Sequence, residues 1–213
     1  MPLINKTKKF IFIGNARCAS SSMYERLKNL FSNDEFVWDS GRPNSRSTPL
    51  PWLYHMGASE ATNRYPFIDN YFKFCFVRNP WDRFFSSYKE FQKPNHARWN
   101  APIFKYKNFE DFCLRFEECE LRKDIHFVST YSQTINNGIN CMNFVGRFEN
   151  LDQDFEKVIQ MVAPARFSQK SVRLKVHRRK TIVTDYRKQY SEKTKQIIGD
   201  LYKEDIENFG YTF

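Results

Sequence analysis

The sequence predicts an α/β protein, because short apolar strands alternate with amphipathic helices along its 213 residues. Two predicted strands, residues 9–13 and 71–77, are each followed closely by a helical pattern, at residues 20–31 and from Pro80 onward. Hydrophobic residues make up 41% of the chain and aromatic residues 17%, which is sufficient for a packed core and argues against disorder. We therefore expect one folded domain over the whole chain.

The other elements follow from the same periodicity. We expect helices over residues 58–64, 109–120, 151–162 and 191–208, and a further strand over residues 143–146. Residues 39–51 contain three prolines and few apolar side chains, which predicts a long loop. Residues 165–190 are polar and strongly basic and predict a second loop. Long loops inside compact domains are often functional.

The charge of the chain points to an anionic partner. A net charge of +10 is compatible with nucleic acid, an acidic glycan, a membrane surface or a phosphorylated cofactor. No apolar stretch approaches the roughly 20 residues that cross a bilayer, and the first predicted strand begins too early for a signal peptide, so we expect a cytoplasmic protein without a membrane span. The five cysteines are odd in number and lack metal-ligand spacing, which predicts reduced thiols and no metal site.

The first strand-to-helix junction has the composition of an anion-binding loop. It consists of Arg17, Cys18, Ala19, Ser20, Ser21 and Ser22. Backbone N–H groups at a helix start, serine hydroxyls and a fixed arginine charge all favour an anion. The Gly-Lys-Ser/Thr ending of an ATP-binding loop is absent, so the loop does not specify ATP. The alternative is a serine-rich helix start that only caps itself.

The second junction places an arginine and a serine where they can share one phosphate. Arg78 leaves the predicted strand, and Ser86 lies eight residues further on, facing back along the helix toward that strand end. A guanidinium fork and a hydroxyl can hold a terminal phosphate together. The alternative is an Arg78 that only pairs with a neighbouring carboxylate such as Asp82. Two such junctions at strand carboxyl ends favour a ligand with two separate phosphate groups.

These motifs resemble the paired cofactor motifs of sulfotransferases, especially those of the carbohydrate and heparan sulfate branch. The resemblance depends on residues 17–22 after a strand and on residues 74–88, which contain the Arg-Asn-Pro, Arg, Ser and Tyr of the second motif. It continues through residues 55–60, 124–133, 145–155 and 202–213, and so covers nearly the whole chain.

The resemblance implies a fold and a donor. The fold would be the P-loop-kinase-like three-layer one, with a central, mostly parallel sheet flanked by helices. The donor would be 3′-phosphoadenosine 5′-phosphosulfate (PAPS), and adenosine 3′,5′-bisphosphate (PAP) the product. The first loop would hold the 5′-phosphosulfate without a metal, and Arg78 and Ser86 the 3′-phosphate, helped by Arg178 and Arg179 of the late basic loop. Arg17 stands where family members usually carry the lysine that contacts the leaving oxygen.

Sulfuryl transfer also needs a base and an acceptor site. A histidine suits the base because its ordinary pKa, about 6.5, leaves it mostly neutral near pH 7. His55 occupies the position where heparan-type sulfotransferases carry a catalytic histidine, with Glu60 as the reserve base. We expect a carbohydrate or small-molecule acceptor to contact His55, Trp99 and His126, although His126 also suits an interior hydrogen-bonding role.

Three other functions remain open. A nucleotide or metabolite kinase would need the missing Gly-Lys-Ser/Thr ending and an aspartate for magnesium. A nucleic-acid-binding module would interleave basic and aromatic residues on one surface, whereas most aromatic residues here follow core periodicity, so we expect no nucleic-acid partner. A non-catalytic binder of nucleotides or glycans would bind the donor without turnover.

Overall fold

The structure, a computed structural model, describes residues 2–38, 56–93, 102–166 and 185–213. Their backbone divides into two compact units. The first unit spans Met1–Val77 and Thr130–Arg179, and the second spans Arg78–Ser129 and Lys180–Phe213. Within the described ranges, no helix combines the length and the apolar character that a membrane crossing requires.

The strands of the first unit form a five-stranded sheet and a separate hairpin. The strands are β1 (Pro2–Asn5), β2 (Phe10–Ile13), β3 (Phe36–Trp38), β4 (Phe72–Val77), β5 (Ile135–Asn136), β6 (Ile139–Asn140) and β7 (Phe144–Arg147). The sheet order is β3-β1-β2-β4-β7, while β5 and β6 pair only with each other. β4 pairs in parallel with β2 and with β7, and β1 runs antiparallel to β2 and β3. The five-stranded sheet is therefore mixed but mostly parallel, because four of its strands run in one direction and only β1 runs in the other.

The α-helices of the described residues are distributed over both units. They are α1 (Ser20–Leu30), α2 (Ala58–Arg64), α3 (Pro80–Phe91), α4 (Phe109–Leu114), α5 (Leu151–Val162), α6 (Glu192–Leu201) and α7 (Lys203–Phe209). The first unit contains α1, α2 and α5, and the second contains the other four. The alternation of strands and helices confirms the predicted α/β class.

The core of the first unit forms where α1 and α5 cover one face of the sheet. Side chains alternate between the two faces of a strand, so the even-numbered phenylalanines of β2 and β4 point to the same side. Phe12 and Phe74 stack there with ring centroids 5.2 Å apart. They share one buried cluster with residues of both helices, among them Met23, Leu27, Phe155 and Val158.

The core of the second unit is mostly aromatic. Phe84 of α3 is fully buried, and its ring contacts several others in edge-to-face or tilted geometry: Phe109, Phe112, Phe116, Phe127 and Tyr202. Such pairs contribute about 0.5–1.5 kcal/mol each beyond the area they bury. The apolar face of α3 that the sequence predicts is therefore the centre of this unit.

Several predicted elements are confirmed, and others are wrong in their limits. The first helix, the strand ending at Val77 and the helix that begins at Pro80 lie where expected. The predicted helix over residues 109–120 ends at Leu114, and a 3-10 turn, Phe116–Glu118, follows it. The sequence pattern does not predict the first and third strands, Pro2–Asn5 and Phe36–Trp38. The predicted loop over residues 39–51 lies outside the described residues.

The last predicted helix, over residues 191–208, is divided into α6 and α7. Its cap is correct, since Ser191 and Thr194 form a reciprocal capping box. The break falls at Tyr202, whose hydroxyl donates to the carbonyl of Phe127 at 2.6 Å and whose ring lies under the guanidinium of Arg83. These long-range contacts hold Tyr202 in a non-helical conformation, which a local pattern cannot reveal.

Gly146 of β7 packs closely against the ring of Phe76 on β4. A Cβ atom at position 146 would lie 2.4 Å from the Phe76 ring, which is itself fully buried. We expect Gly146→Ala to lower the free energy of unfolding by about 1–3 kcal/mol, measured by urea denaturation, because the packed ring must shift. Adding Phe76→Leu should recover part of the loss, and additive effects of the two substitutions would contradict the contact.

Candidate anion-binding site

The sheet brings the ends of two parallel strands to one edge. Ile13, the last residue of β2, pairs with Cys75, and β4 ends two residues later at Val77. On the other side of β4, Val77 pairs with Arg147, the last residue of β7. The chain therefore leaves β2 toward residues 14–19, and leaves β4 toward Arg78, from the same edge. Ligands of open α/β sheets bind outside this carboxyl edge.

The loop between β2 and α1 has an unusual backbone. Arg17 and Ala19 both adopt left-handed conformations, with φ angles of 64° and 62°. Such a conformation costs a residue with a side chain about 1–2 kcal/mol. Backbone strain of this kind concentrates at ligand-binding sites, where the surrounding structure enforces it. This loop is therefore a candidate site on its geometry as well as on its composition.

The start of α1 is suited to an anion. No side chain caps the helix, its first turn contains no acidic residue, and Met23 donates the first helical hydrogen bond, to Ala19. The N–H groups before Met23 have no acceptor within the helix and point out of its positive end. Ser20 and Ser22 are buried beside them, whereas Ser21 is exposed. The self-capping alternative therefore finds no support in this helix start.

Asn15 is a site residue that sequence reasoning missed. Its side chain is buried, and its Nδ2 donates to the main-chain carbonyl of Phe76 at 3.0 Å. The bond joins the loop after β2 to the end of β4. A polar residue directly after the Phe10–Ile13 strand and Gly14 was the available signal, because a buried polar side chain there must have a partner.

The second junction places Arg78 at the start of α3. Asn79 caps this helix by accepting from the N–H of Trp81, and its Nδ2 donates to the carbonyl of Thr212 at 2.8 Å. The Nε of Arg78 donates to Asp82 at 2.7 Å. Ser86 is buried two turns along the helix. The ion pair with Asp82, which was the alternative role for Arg78, is thus present. An anion bound at Arg78 would have to share the guanidinium with Asp82.

Arg83, five residues after Arg78, has a different role. Its guanidinium donates to the carbonyls of His126 and Val128, lies over the ring of Tyr202 and is 3.7 Å from Asp205. The side chains of Arg83 and Asp205 are each only 1% exposed. Arg83 therefore supports the interior of the second unit.

His126, a candidate for acceptor binding, and Glu60, the reserve base, lie among the described residues in different environments. His126 is partly exposed, its Nδ1 lies 2.8 Å from Asp124, and its ring packs edge-on against Phe91. Glu60 is exposed in the first turn of α2, and Met56, the residue after His55, is buried. His126 thus forms a hydrogen bond, as the alternative for this residue requires, but it is partly exposed and not interior, and its acceptor role stays a prediction.

Four other predicted site residues lie outside the described residues: His55, Trp99, Arg178 and Arg179. Among the residues that the structure does describe, no group of three or more histidine, cysteine, aspartate or glutamate side chains is arranged to hold a metal ion.

Cys75 of β4, close to the first loop, is a thiol with little nucleophilic character. Cys18 and Cys75 are both buried and free of disulfides. Burial raises the pKa of Cys75 far above its usual value, and the neighbouring Cys18 raises it further. A protonated thiol is a poor nucleophile. Cys75 is therefore poorly suited to covalent catalysis.

Comparison with known proteins identifies relatives. A protein-family model with the description "Sulfotransferase family" matches residues 2–212 of the chain. A protein of Archaeoglobus fulgidus, named only as an uncharacterized protein, is 28% identical over 95 residues, which is 45% of this chain and 70% of that protein. No solved structure matches the chain.

Substitution of Arg83 should destabilise the folded protein more than substitution of Arg78. Arg83→Leu should lower the free energy of unfolding by about 3–5 kcal/mol, because it removes a positive charge paired with the buried Asp205 carboxylate and the hydrogen bonds to two main-chain carbonyls. Arg78→Leu should cost only about 1 kcal/mol or less, because its partner Asp82 retains access to solvent. Chemical denaturation of both variants measures the difference, and equal losses would contradict the distinction.

Proposed function

Because the chain belongs to the sulfotransferase family, we propose that it transfers the sulfuryl group of PAPS to a hydroxyl or amine of a carbohydrate or small-molecule acceptor. The observation that carries the proposal is the parallel pairing of β2 with β4, since both strand-to-helix junctions leave the sheet from one edge. A doubly phosphorylated nucleotide needs two such anion-binding elements. The proposal includes a P-loop-kinase-like fold and a single functional domain.

The first loop receives the 5′-phosphosulfate in this proposal. The uncapped N–H groups of Ser20, Ser21 and Ser22 and their hydroxyls donate hydrogen bonds to its oxygens, beside Cys18 and Ala19 of the same loop. The strained backbone favours this assignment, because it aims several N–H groups before any ligand arrives. Preorganised donors cost no further ordering at the moment of transfer.

The start of α3 receives the 3′-phosphate. Arg78 supplies charge and a planar pair of donors, and Ser86 adds a hydroxyl. The helix dipole favours the same charge. Arg178 and Arg179, which lie outside the described residues, add positive charge for the same phosphate in this proposal. This cationic environment neutralises the donor without a metal ion.

The transfer itself is an in-line displacement. Arg17 stabilises the negative charge that develops on the phosphate oxygen as its bond to sulfur breaks. His55 accepts the proton of the acceptor hydroxyl while that oxygen forms its new bond to sulfur, and Glu60 is the alternative base. Trp99 and His126 contact the acceptor. Five cysteines that are all free thiols suit a reducing compartment, so we extend the proposal to a cytoplasmic location.

Calorimetric titration with PAP tests the donor site. In an unfolding experiment, PAP at 100 times its dissociation constant should raise the free energy of unfolding by about 2.7 kcal/mol. Arg78→Gln should weaken PAP binding roughly 10- to 100-fold, since hydrogen bonds to charged groups contribute about 1.5–3 kcal/mol.

Arg115→Gln is the matched control for that titration. Arg115 pairs with Asp111 through the same spacing of four residues and the same 2.7 Å distance as Arg78 and Asp82, but on α4. This variant should bind PAP like the wild type. Stabilisation by ATP with magnesium, together with indifference to PAP, would instead identify a kinase.

Transfer of radiolabelled sulfate to a panel of sugars and phenols tests catalysis. His55→Ala should lower kcat about 10²- to 10⁴-fold, the usual contribution of a general base, and leave the dissociation constant for PAP unchanged. His96→Ala, at a histidine without an assigned role, should retain full activity. A loss of PAP binding in His55→Ala would remove His55 from the base role, and a larger loss of kcat in Glu60→Gln would transfer that role to Glu60.

A further inference from the structure

The side chain of Asn15 continues the hydrogen bonding of the sheet beyond the end of β2. The last backbone pair between the two strands joins Ile13 to Cys75, and Phe76 is the next residue of β4. β2 has already turned away at this point, so the Nδ2 of Asn15 supplies the hydrogen bond to the Phe76 carbonyl. A side-chain amide thus takes the place of a backbone donor.

The orientation of this amide is fixed by its surroundings. The Phe76 carbonyl can only accept, so the Asn15 side chain must present its NH2 group there. Asn15 is 2% exposed, and its Oδ1 is buried without a hydrogen bond among the described residues. Leaving such an acceptor unpaired costs about 1–3 kcal/mol. A cost of this kind is retained where the arrangement serves another purpose.

The loop that Asn15 fixes is the one with the strained backbone. The carbonyl of Asn15 accepts from the N–H of Cys18 at 3.3 Å, and the left-handed residues Arg17 and Ala19 stand on either side of Cys18. Ala19 in turn accepts the first hydrogen bond of α1. Asn15 therefore joins the end of β4 and the start of α1 through one short path.

We propose that Asn15 is a positioning residue, which holds the first loop in the conformation that aims the N–H groups of Ser20–Ser22 at an anion. Asn15 touches neither donor nor acceptor. It acts by fixing the loop to the carbonyl of Phe76, so that the left-handed turns persist without a ligand. The claim on PAP affinity rests on the proposed function, whereas the claim on loop geometry does not.

Asn143 provides a matched control at the opposite end of the same strand. Its Oδ1 accepts from the N–H of Lys73 at 2.7 Å, so it also joins a side-chain amide to the backbone of β4. Asn143 lies before β7, at the amino end of the strands, whereas Asn15 lies beyond the carboxyl end of β2. Removal of either amide deletes one bond to β4, but only Asn15 serves the anion-binding loop.

Hydrogen exchange measures loop geometry without any ligand. Asn15→Leu, which has a similar volume and no donor, should accelerate exchange of the Cys18 and Met23 amides about tenfold or more. Asn143→Leu should leave those two amides unchanged. Equal exchange in Asn15→Leu and the wild type would overturn the proposal. Asn15→Ser, whose shorter hydroxyl does not reach Phe76, gives the same comparison if Asn15→Leu fails to fold.

PAP titration of the same proteins separates this inference from the proposed function. Asn15→Leu should raise the dissociation constant for PAP about tenfold, and Asn143→Leu should not change it. A folded Asn15→Leu protein with wild-type PAP affinity would overturn the positioning role. If the wild type itself fails to bind PAP, the proposed function fails, and hydrogen exchange alone decides the role of Asn15.

Discussion

The parallel pairing of β2 with β4 is the constraint on which the candidate site depends. The register, Ile13 opposite Cys75, makes both strands end at one edge, and each continues directly into a loop and a helix. A shift of this register by one residue would exchange the side chains on the two faces of a strand, and both faces of β2 and β4 are packed. The stacked rings of Phe12 and Phe74 oppose such a shift, because they fit together only on the shared core face. Packing and site geometry therefore have the same origin.

The second unit shows why charge alone is a poor guide to function in this chain. Arg78 and Arg83 lie within five residues of each other, yet Arg83 is one of the most deeply buried side chains and satisfies two carbonyls of the segment before Ser129. A buried arginine persists when its donors are paired, and here main-chain carbonyls and Asp205 supply the partners. An arginine that is to bind a mobile anion needs access to solvent. Arg78 retains that access at the helix start.

The sequence predicted what depends on local chemistry and missed what depends on distant contacts. The helix that begins at Pro80 and the helix over residues 151–162 are determined by neighbouring residues, and both are confirmed. The helix break at Tyr202 depends on its hydrogen bond to Phe127, which is 75 positions away in the sequence. The hydrogen bond between Asn15 and Phe76 spans 61 positions. No local sequence pattern contains either contact. In the site, the sequence identified Arg78 and the serines of α1 as candidates, but the burial of Arg83 and the strained turns at Arg17 and Ala19 required three-dimensional information.

The contact between Arg78 and Asp82 is compatible with the proposed phosphate site. It uses the Nε of the guanidinium, which is one of five N–H donors that an arginine carries. The carboxylate lies in the first turn of α3, where the helix dipole stabilises negative charge independently of Arg78. Asp82 therefore orients the guanidinium at little cost. A fixed arginine loses less conformational entropy when it binds than a mobile one does, so this ion pair favours a preorganised site.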